Sequence, residues 1–245
     1  MRQVLASIGI GNATVDTVLP STSVHPGESV DAEVRIEGGD AAQDVSYIDL
    51  ELETQYATDD GYRTATIDRL HLTDGFTVEP GESLAYETTI DIPWATPVTL
   101  GRVDVWVETE LEIDLAVDPE DRDYLDVEAT PRMEAVFDAA DDLGFSFRTA
   151  DCEGDPYGRY VSGRRFVQEF EFRPRGGRFA GDFDEIEFVF DPRPDALRVF
   201  VEVDRRGGLL SEAMDADESH ERFELAEPDR DEARRRIESL LEKHA

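Results

Sequence analysis

Apolar and charged residues alternate with a period of two through much of this chain, and that pattern limits it to sheets with one buried face. In Ser29–Glu37, Val30, Ala32, Val34 and Ile36 alternate with Asp31, Glu33, Arg35 and Glu37. In Tyr47–Tyr56, Ile48, Leu50 and Leu52 face one way and Asp49, Glu51 and Glu53 the other. Ser83–Ile92 keeps Leu84, Tyr86, Thr88, Ile90 and Ile92 in register. The longest run, Gly101–Val117, places Val103, Val105, Val107, Leu111, Ile113, Leu115 and Val117 on one face. Turn residues separate the runs at Pro26-Gly27, Gly38-Gly39-Asp40, Asp59-Asp60-Gly61 and Glu79-Pro80-Gly81. Short strands at such spacing predict a β-sandwich over residues 1–128.

Thr130-Pro131 interrupts the alternation. Met133, Val136, Phe137 and Ala140 then recur at helical spacing, with Thr130 as N-cap, Pro131 at the first helical position and Gly144 past the end. The spacing predicts a helix over 131–143. Strand patterns resume at Phe145–Thr149, Phe166–Arg173, Glu185–Phe190 and Leu197–Val203, which predicts a second sandwich over 129–206 that includes the helix. Residues 207–245 form an acidic tail. Ser211–Glu224 reads as a short helix, and Asp229 with Glu232 reads as the capping box of a C-terminal helix carrying Ala233, Ile237, Leu240 and Leu241. The expected fold is mainly β: two tandem sandwiches with one inter-strand helix and a C-terminal helix.

Charge restricts the partners. The chain has 58 Asp and Glu against 24 Lys and Arg, a formal net charge of -34, and every basic residue except Lys243 is arginine. Acid enrichment with lysine nearly removed fits a cytoplasm of concentrated salt, where the Debye length falls to about 3 Å and carboxylate repulsion is silenced. Nucleic acid is disfavoured, because phosphate binding needs a basic face. Stable membrane insertion is not expected, since no apolar run approaches about 18 residues. Cys152 is the only cysteine, so no internal disulfide can form. The first residues lack the apolar core of a signal peptide, which points to the cytoplasm.

The search for chemistry mostly excludes. A single lysine near the C-terminus leaves no phosphate-loop or Schiff-base lysine. His25, His71, His220 and His244 show no ligand spacing, and one cysteine leaves no structural zinc site. No Gly-x-Ser-x-Gly elbow occurs. Paired carboxylates on a β-sandwich would fit a glycan hydrolase, but acids this frequent form close pairs by chance. The cluster Asp118–Asp123 lacks the glycine and distal glutamate of a calcium loop and reads as a hairpin tip. No catalytic, cofactor or metal residue is expected.

One anomaly remains. Arg159, Arg164, Arg165, Arg173, Arg175 and Arg178 stand against only Glu169 and Glu171, interleaved with Tyr157 and Tyr160. Arginine with aromatics is the composition of interface hot spots. Two readings stay open: these arginines pair with neighbouring acids, or Tyr157, Arg159, Tyr160, Arg164, Arg165 and Arg175 contact a protein partner.

Several segments, in order, resemble the sporulation-control protein family (SpoOM-type). They include Gly9-Ile-Gly11, Pro26-Gly27-Glu28, Ala42-Gln43-Asp44-Val45, Tyr47-Ile48-Asp49-Leu50 and Thr96-Pro97-Val98-Thr99-Leu100-Gly101. Leu143-Gly144-Phe145, Ala150-Asp151-Cys152, Phe166–Phe172 and Val203-Asp204-Arg205-Arg206 continue the match. The resemblance implies an arrestin-like pair of β-sandwiches and a regulatory or scaffolding protein without catalytic residues or cofactor. The leading expectation is therefore an intracellular adaptor for protein partners, with a glycan hydrolase or an arrestin-like sorting adaptor as alternatives. Circular dichroism tests the salt argument: strand signal is expected in molar KCl, with cooperative structure lost below a few hundred millimolar. Equal stability at both ends of that range would remove it.

Overall fold

The computed structural model describes residues 12–113, 118–205 and 221–245, which divide into two compact units. The first comprises most of the chain up to Val127. One of its sheets has the order β1(Thr14–Val18)–β3(Ser29–Glu37)–β6(Ser83–Asp91). The other runs β5(Gly61–Val78)–β4(Gln43–Thr58)–β7(Val105–Ile113)–β8(Glu120–Val127)–β2(Ser23–Val24). The alternating residues do what their period dictates: Val34, Ile36, Ile48, Leu50, Leu52, Val105, Val107 and Leu111 are buried between the sheets. Buried hydroxyls join the layers, Thr17 Oγ1 lying 2.7 Å from Thr109 Oγ1.

Strands β5 and β8 went unrecognised in the sequence, as did the short strand β1. In β5 the apolar set slips phase between Ile67 and Leu70, and most of its residues are exposed, with Val78 buried at its end, so no clean period survives. The run Gly101–Val117 is shorter as a strand than its pattern; β7 ends at Ile113, and residues 114–117 lie outside the described residues.

The second unit contains the far end of the β4–β5 hairpin (Gln55–Arg63), the segment Pro97–Val103, and everything from Glu128 onward. Its strands β9(Phe145–Gly154), β10(Phe166–Pro174), β11(Phe183–Pro192), β12(Leu197–Arg205) and β13(Glu221–Leu225) pair antiparallel in sequence order. Helix α1(Pro131–Asp142) covers one face. Thr130 Oγ1 accepts from the Met133 N–H at 3.4 Å, and Gly144 stops the helix with a φ of +91°. Phe137 of α1 meets Phe170, Phe172 and Phe190 with ring centroids 5.1–5.7 Å apart. Helix α2(Arg230–His244) packs beside α1, burying Ala233, Ile237, Leu240 and Leu241, and Arg230 Nε donates to Asp142 Oδ2 at 2.6 Å.

The chain is mainly β with two helices, as expected. In the second unit α1 lies against one face of the sheet through Phe137, a detail period two does not report, since it says that a face is buried and not what buries it. β13 extends the sheet through β12 and α2 lies on α1, so residues 221–245 group with the second unit. Glu221–Glu224, assigned to a short helix from sequence, is strand with Phe223 and Leu225 buried. The remainder of that expected helix, 211–220, lies outside the described residues.

Gly101 gives a test of this packing. It has a φ of +67°, and an added Cβ would lie 2.3 Å from the backbone nitrogen of Ala150. Gly81 has a φ of +71° with open space around it. Gly81→Ala should cost about 1 kcal/mol, the ordinary left-handed penalty. Gly101→Ala should cost about 2–4 kcal/mol, because strand backbone must move as well. Thermal unfolding of both variants in molar KCl checks the difference.

Candidate functional site

The arginine-rich segment lies between β9 and β10 of the second unit. Its base is closed by a backbone hydrogen bond from Asp155 N to Arg165 O at 2.8 Å. Asp155 is 1% exposed, and its carboxylate accepts from the N–H groups of Arg159 and Tyr160 at 2.9 and 3.3 Å. This is the local capping that aspartate favours in turns. Gly158 and Gly163 supply the positive φ angles the fold-back needs.

The segment has an inner and an outer side. Tyr160 is only 7% exposed and packs with Val167, Val189 and Phe200, its ring edge-on to Phe200 at 5.6 Å. Its hydroxyl donates to Glu202, and burial followed by that carboxylate drives its pKa far up. Arg164 donates to the buried Asp191 at 2.9 Å. Tyr160 and Arg164 are therefore fasteners of the segment, and neither is a free contact residue. Tyr157, by contrast, is 90% exposed. Arg159 lies over the Tyr160 ring at 5.7 Å, and Arg165 is exposed with its carbonyl tied to Asp155.

Arg175 does not join them. It follows the other end of β10, roughly 30 Å away along an extended strand, and pairs with Asp141 at 2.7 Å. Arg173 pairs with Glu185, and Arg178 with Glu242. Internal pairing thus accounts for Arg164, Arg173, Arg175 and Arg178. Tyr157, Arg159 and Arg165 are each exposed.

Beneath the segment lies a feature the sequence reading missed. Register sets Glu187 opposite both Glu171 and Glu202, and Glu169 opposite Asp151. Burial, then Glu187, Glu202 and Glu153, pushes the Glu169 carboxyl up to about 8. Burial, then Glu202 and Glu185, pushes Glu187 up to about 7. The signal was glutamate at alternate positions of adjacent strands, and it was invisible without the pairing.

Elsewhere, Glu110, Glu112 and Asp118 bring carboxylate oxygens within 4.8 Å of one another. Asp118 Oδ1 accepts from Ile113 N at 2.8 Å, so part of that convergence closes the backbone between β7 and β8. Acids at this density assign no metal by themselves. Cys152 is buried in β9. Among the described residues no helix is long and apolar enough to cross a membrane.

Comparison with known proteins follows from this architecture. The family described as SpoOM protein matches residues 1–207. The sporulation-control protein spo0M of Bacillus subtilis (strain 168) is 39% identical over 255 aligned positions, covering 100% of this chain and 98% of the relative. The crystal structure of Spo0M, a sporulation control protein from Bacillus subtilis, superposes with a TM-score of 0.87 and 38% identity, covering 96% of this chain and 100% of that one. Profile, sequence and fold agree along nearly the whole length, and the chain belongs to the SpoOM protein family.

Proposed function

We propose that the chain is a regulatory adaptor that acts without catalysis, in the cytoplasm and in concentrated salt, by binding a protein partner. The name of the Bacillus relative supports a control role. The observation that carries the binding surface is Tyr157, 90% exposed beside exposed Arg159 and Arg165, in a chain whose net charge is -34. Molar salt removes long-range steering, so recognition relies on short-range contact. Arginine suits it, because its planar fork pairs with carboxylates at two points and stacks on aromatic faces. Exposed ion pairs contribute only about 0–1 kcal/mol each, so the tyrosine must supply buried area.

The sheets support the salt adaptation. Asp49 faces Glu110, Glu51 faces Glu108, Glu110 faces Glu120 and Glu33 faces Glu87 across neighbouring strands. Like charges directly opposed are destabilising; Arg69, Arg122 and Arg35 offset part of this at Glu51, Glu108 and Glu33, and abundant cations would screen the rest. The outer faces are thus arranged for a medium that screens.

Two expected outcomes follow. Immobilised chain in molar KCl captures a partner from an extract of the native host, and Tyr157→Ser weakens that capture more than Arg159→Ser does. Arg175→Ser, at the far end of β10, leaves it unchanged. All three variants unfold at the wild-type midpoint, whereas Tyr160→Ser lowers stability by about 2–4 kcal/mol through a cavity and an unpaired carboxylate. Quantitative mass spectrometry of the captured proteins and thermal melts provide the measurements. A captured set untouched by Tyr157→Ser would end the surface reading.

A further inference from the structure

Several arginines of this chain each pair with two acids: Arg69 with Asp49 and Glu51, Arg178 with Glu238 and Glu242, and Arg230 with Asp138 and Asp142. Where β11 turns into β12 the ratio reverses, and three arginines share one carboxylate. Asp191, near the end of β11, is 2% exposed. Its Oδ2 accepts from Arg193 through Nε at 3.0 Å and Nη2 at 2.7 Å. Its Oδ1 accepts from Arg164 at 2.9 Å. Arg198, directly opposite Asp191 on β12, lies 3.7 Å from Oδ2.

One carboxylate cannot satisfy three guanidinium groups, each with five N–H donors. Arg198 approaches Asp191 and Glu224 only to 3.7 and 3.9 Å, beyond hydrogen-bond length. Arg193 spends Nε and Nη2 on a single oxygen, and among the described residues nothing engages its Nη1. Burial lowers the pKa of Arg164; Asp191 works against that, and the like charge of Arg193 adds to it. The cluster therefore holds more positive charge than it neutralises. Its donors are also fixed in place and open to solvent. Arg193 starts the turn between the strands, where its N–H donates to Ala196 O at 2.9 Å. Arg132 of α1 donates to the carbonyls of Arg193 and Pro194 at 3.5 and 3.3 Å. The Arg193 and Arg198 side chains are 45% and 29% exposed.

We infer that Arg193 and Arg198 form a binding site for a phosphoryl group, held ready by Asp191 and with Arg164 adding charge. Arg164 stays the fastener of its segment, and the contacts come from the other two. A carboxylate carries one charge and two oxygens, enough for one guanidinium fork. A phosphoryl group carries about −1.5 to −2 charges and three strong acceptor oxygens, so it can bridge two forks. Molar salt screens the approach of the ligand more than this short-range, two-point contact. Arginine stays charged throughout, so affinity follows the titration of the ligand. Binding is strongest while the phosphoryl group is dianionic and weakens as pH falls through its second pKa of about 6. Tyr157, Arg159 and Arg165 take no part, so the site is separate from the partner surface proposed above.

Two-dimensional NMR of the arginine Nε–H groups of the full chain, in KCl at constant ionic strength, tests the site. Inorganic phosphate should move the Arg193 and Arg198 signals to saturation and leave that of Arg175 in place, and acetate should move none of them. Arg193→Gln and Arg198→Gln should each weaken phosphate binding about tenfold, the loss expected for one charged hydrogen-bonding partner, with thermal melts showing that both variants fold. A short uncharged peptide with one phosphoserine, compared with its unphosphorylated twin, separates two sources of the ligand. Tighter binding of the phosphopeptide than of inorganic phosphate assigns the site to a phosphorylated protein, and the reverse order assigns it to a free phosphate compound. Binding of the phosphopeptide should fade as pH is lowered through about 6. Absence of a saturating shift with either probe would overturn the proposal. So would an equal response to acetate, or binding undiminished in both glutamine variants. Tyr157→Ser should leave phosphate binding unchanged, so this test and that of the partner surface fail separately.

Discussion

One-sided burial is the constraint on which this protein depends. The outer faces of its sheets place acid against acid, as at Glu187 and Glu202, beside cross-strand ion pairs such as Arg122 with Glu108. Cohesion must come from the inner faces, which explains why the apolar alternation is so regular and why Ile36, Ile48, Val107 and Leu111 are buried almost without trace of exposure. Apolar burial at roughly 25 cal/mol per Å² favours folding, and unscreened charge opposes it.

The second unit meets the constraint differently. Its inner face is made of phenylalanines, with Phe170, Phe172, Phe188 and Phe190 in a cluster of tilted and edge-on contacts capped by Phe137. A helix presents a convex stripe, and large rings fill the space between stripe and sheet better than branched aliphatics would. On the opposite face the Asp155–Arg165 segment sets Tyr160 on Val167, Val189 and Phe200. Burial and neighbouring carboxylates push the Glu169 and Glu187 carboxyls up on that face.

The arginine island shows how composition and position separate. From sequence, two readings stood open: the arginines pair internally, or Tyr157, Arg159, Tyr160, Arg164, Arg165 and Arg175 form one partner surface. In the fold, Arg164 holds Asp191, Arg175 holds Asp141, and Tyr160 turns inward, which leaves Tyr157, Arg159 and Arg165 outward. The distinction turned on the fold-back at Asp155, whose carboxylate caps two backbone N–H groups and so directs one tyrosine in and its neighbour out.

The sequence by itself determined the β class, the positions of both helices with their caps at Thr130 and Asp229, and the family, because periodicity, capping and short motifs are local properties of the chain. It lost β5, whose apolar phase slips between Ile67 and Leu70, and β13, whose five residues carry too few apolar positions to set a period. Only the tertiary structure decided that helices cover the second sheet, that the tail returns as an edge strand, and that glutamates from four strands meet under one loop. Those features depend on which strands become neighbours and in what register, and pairing between distant segments leaves no mark in the local pattern of either.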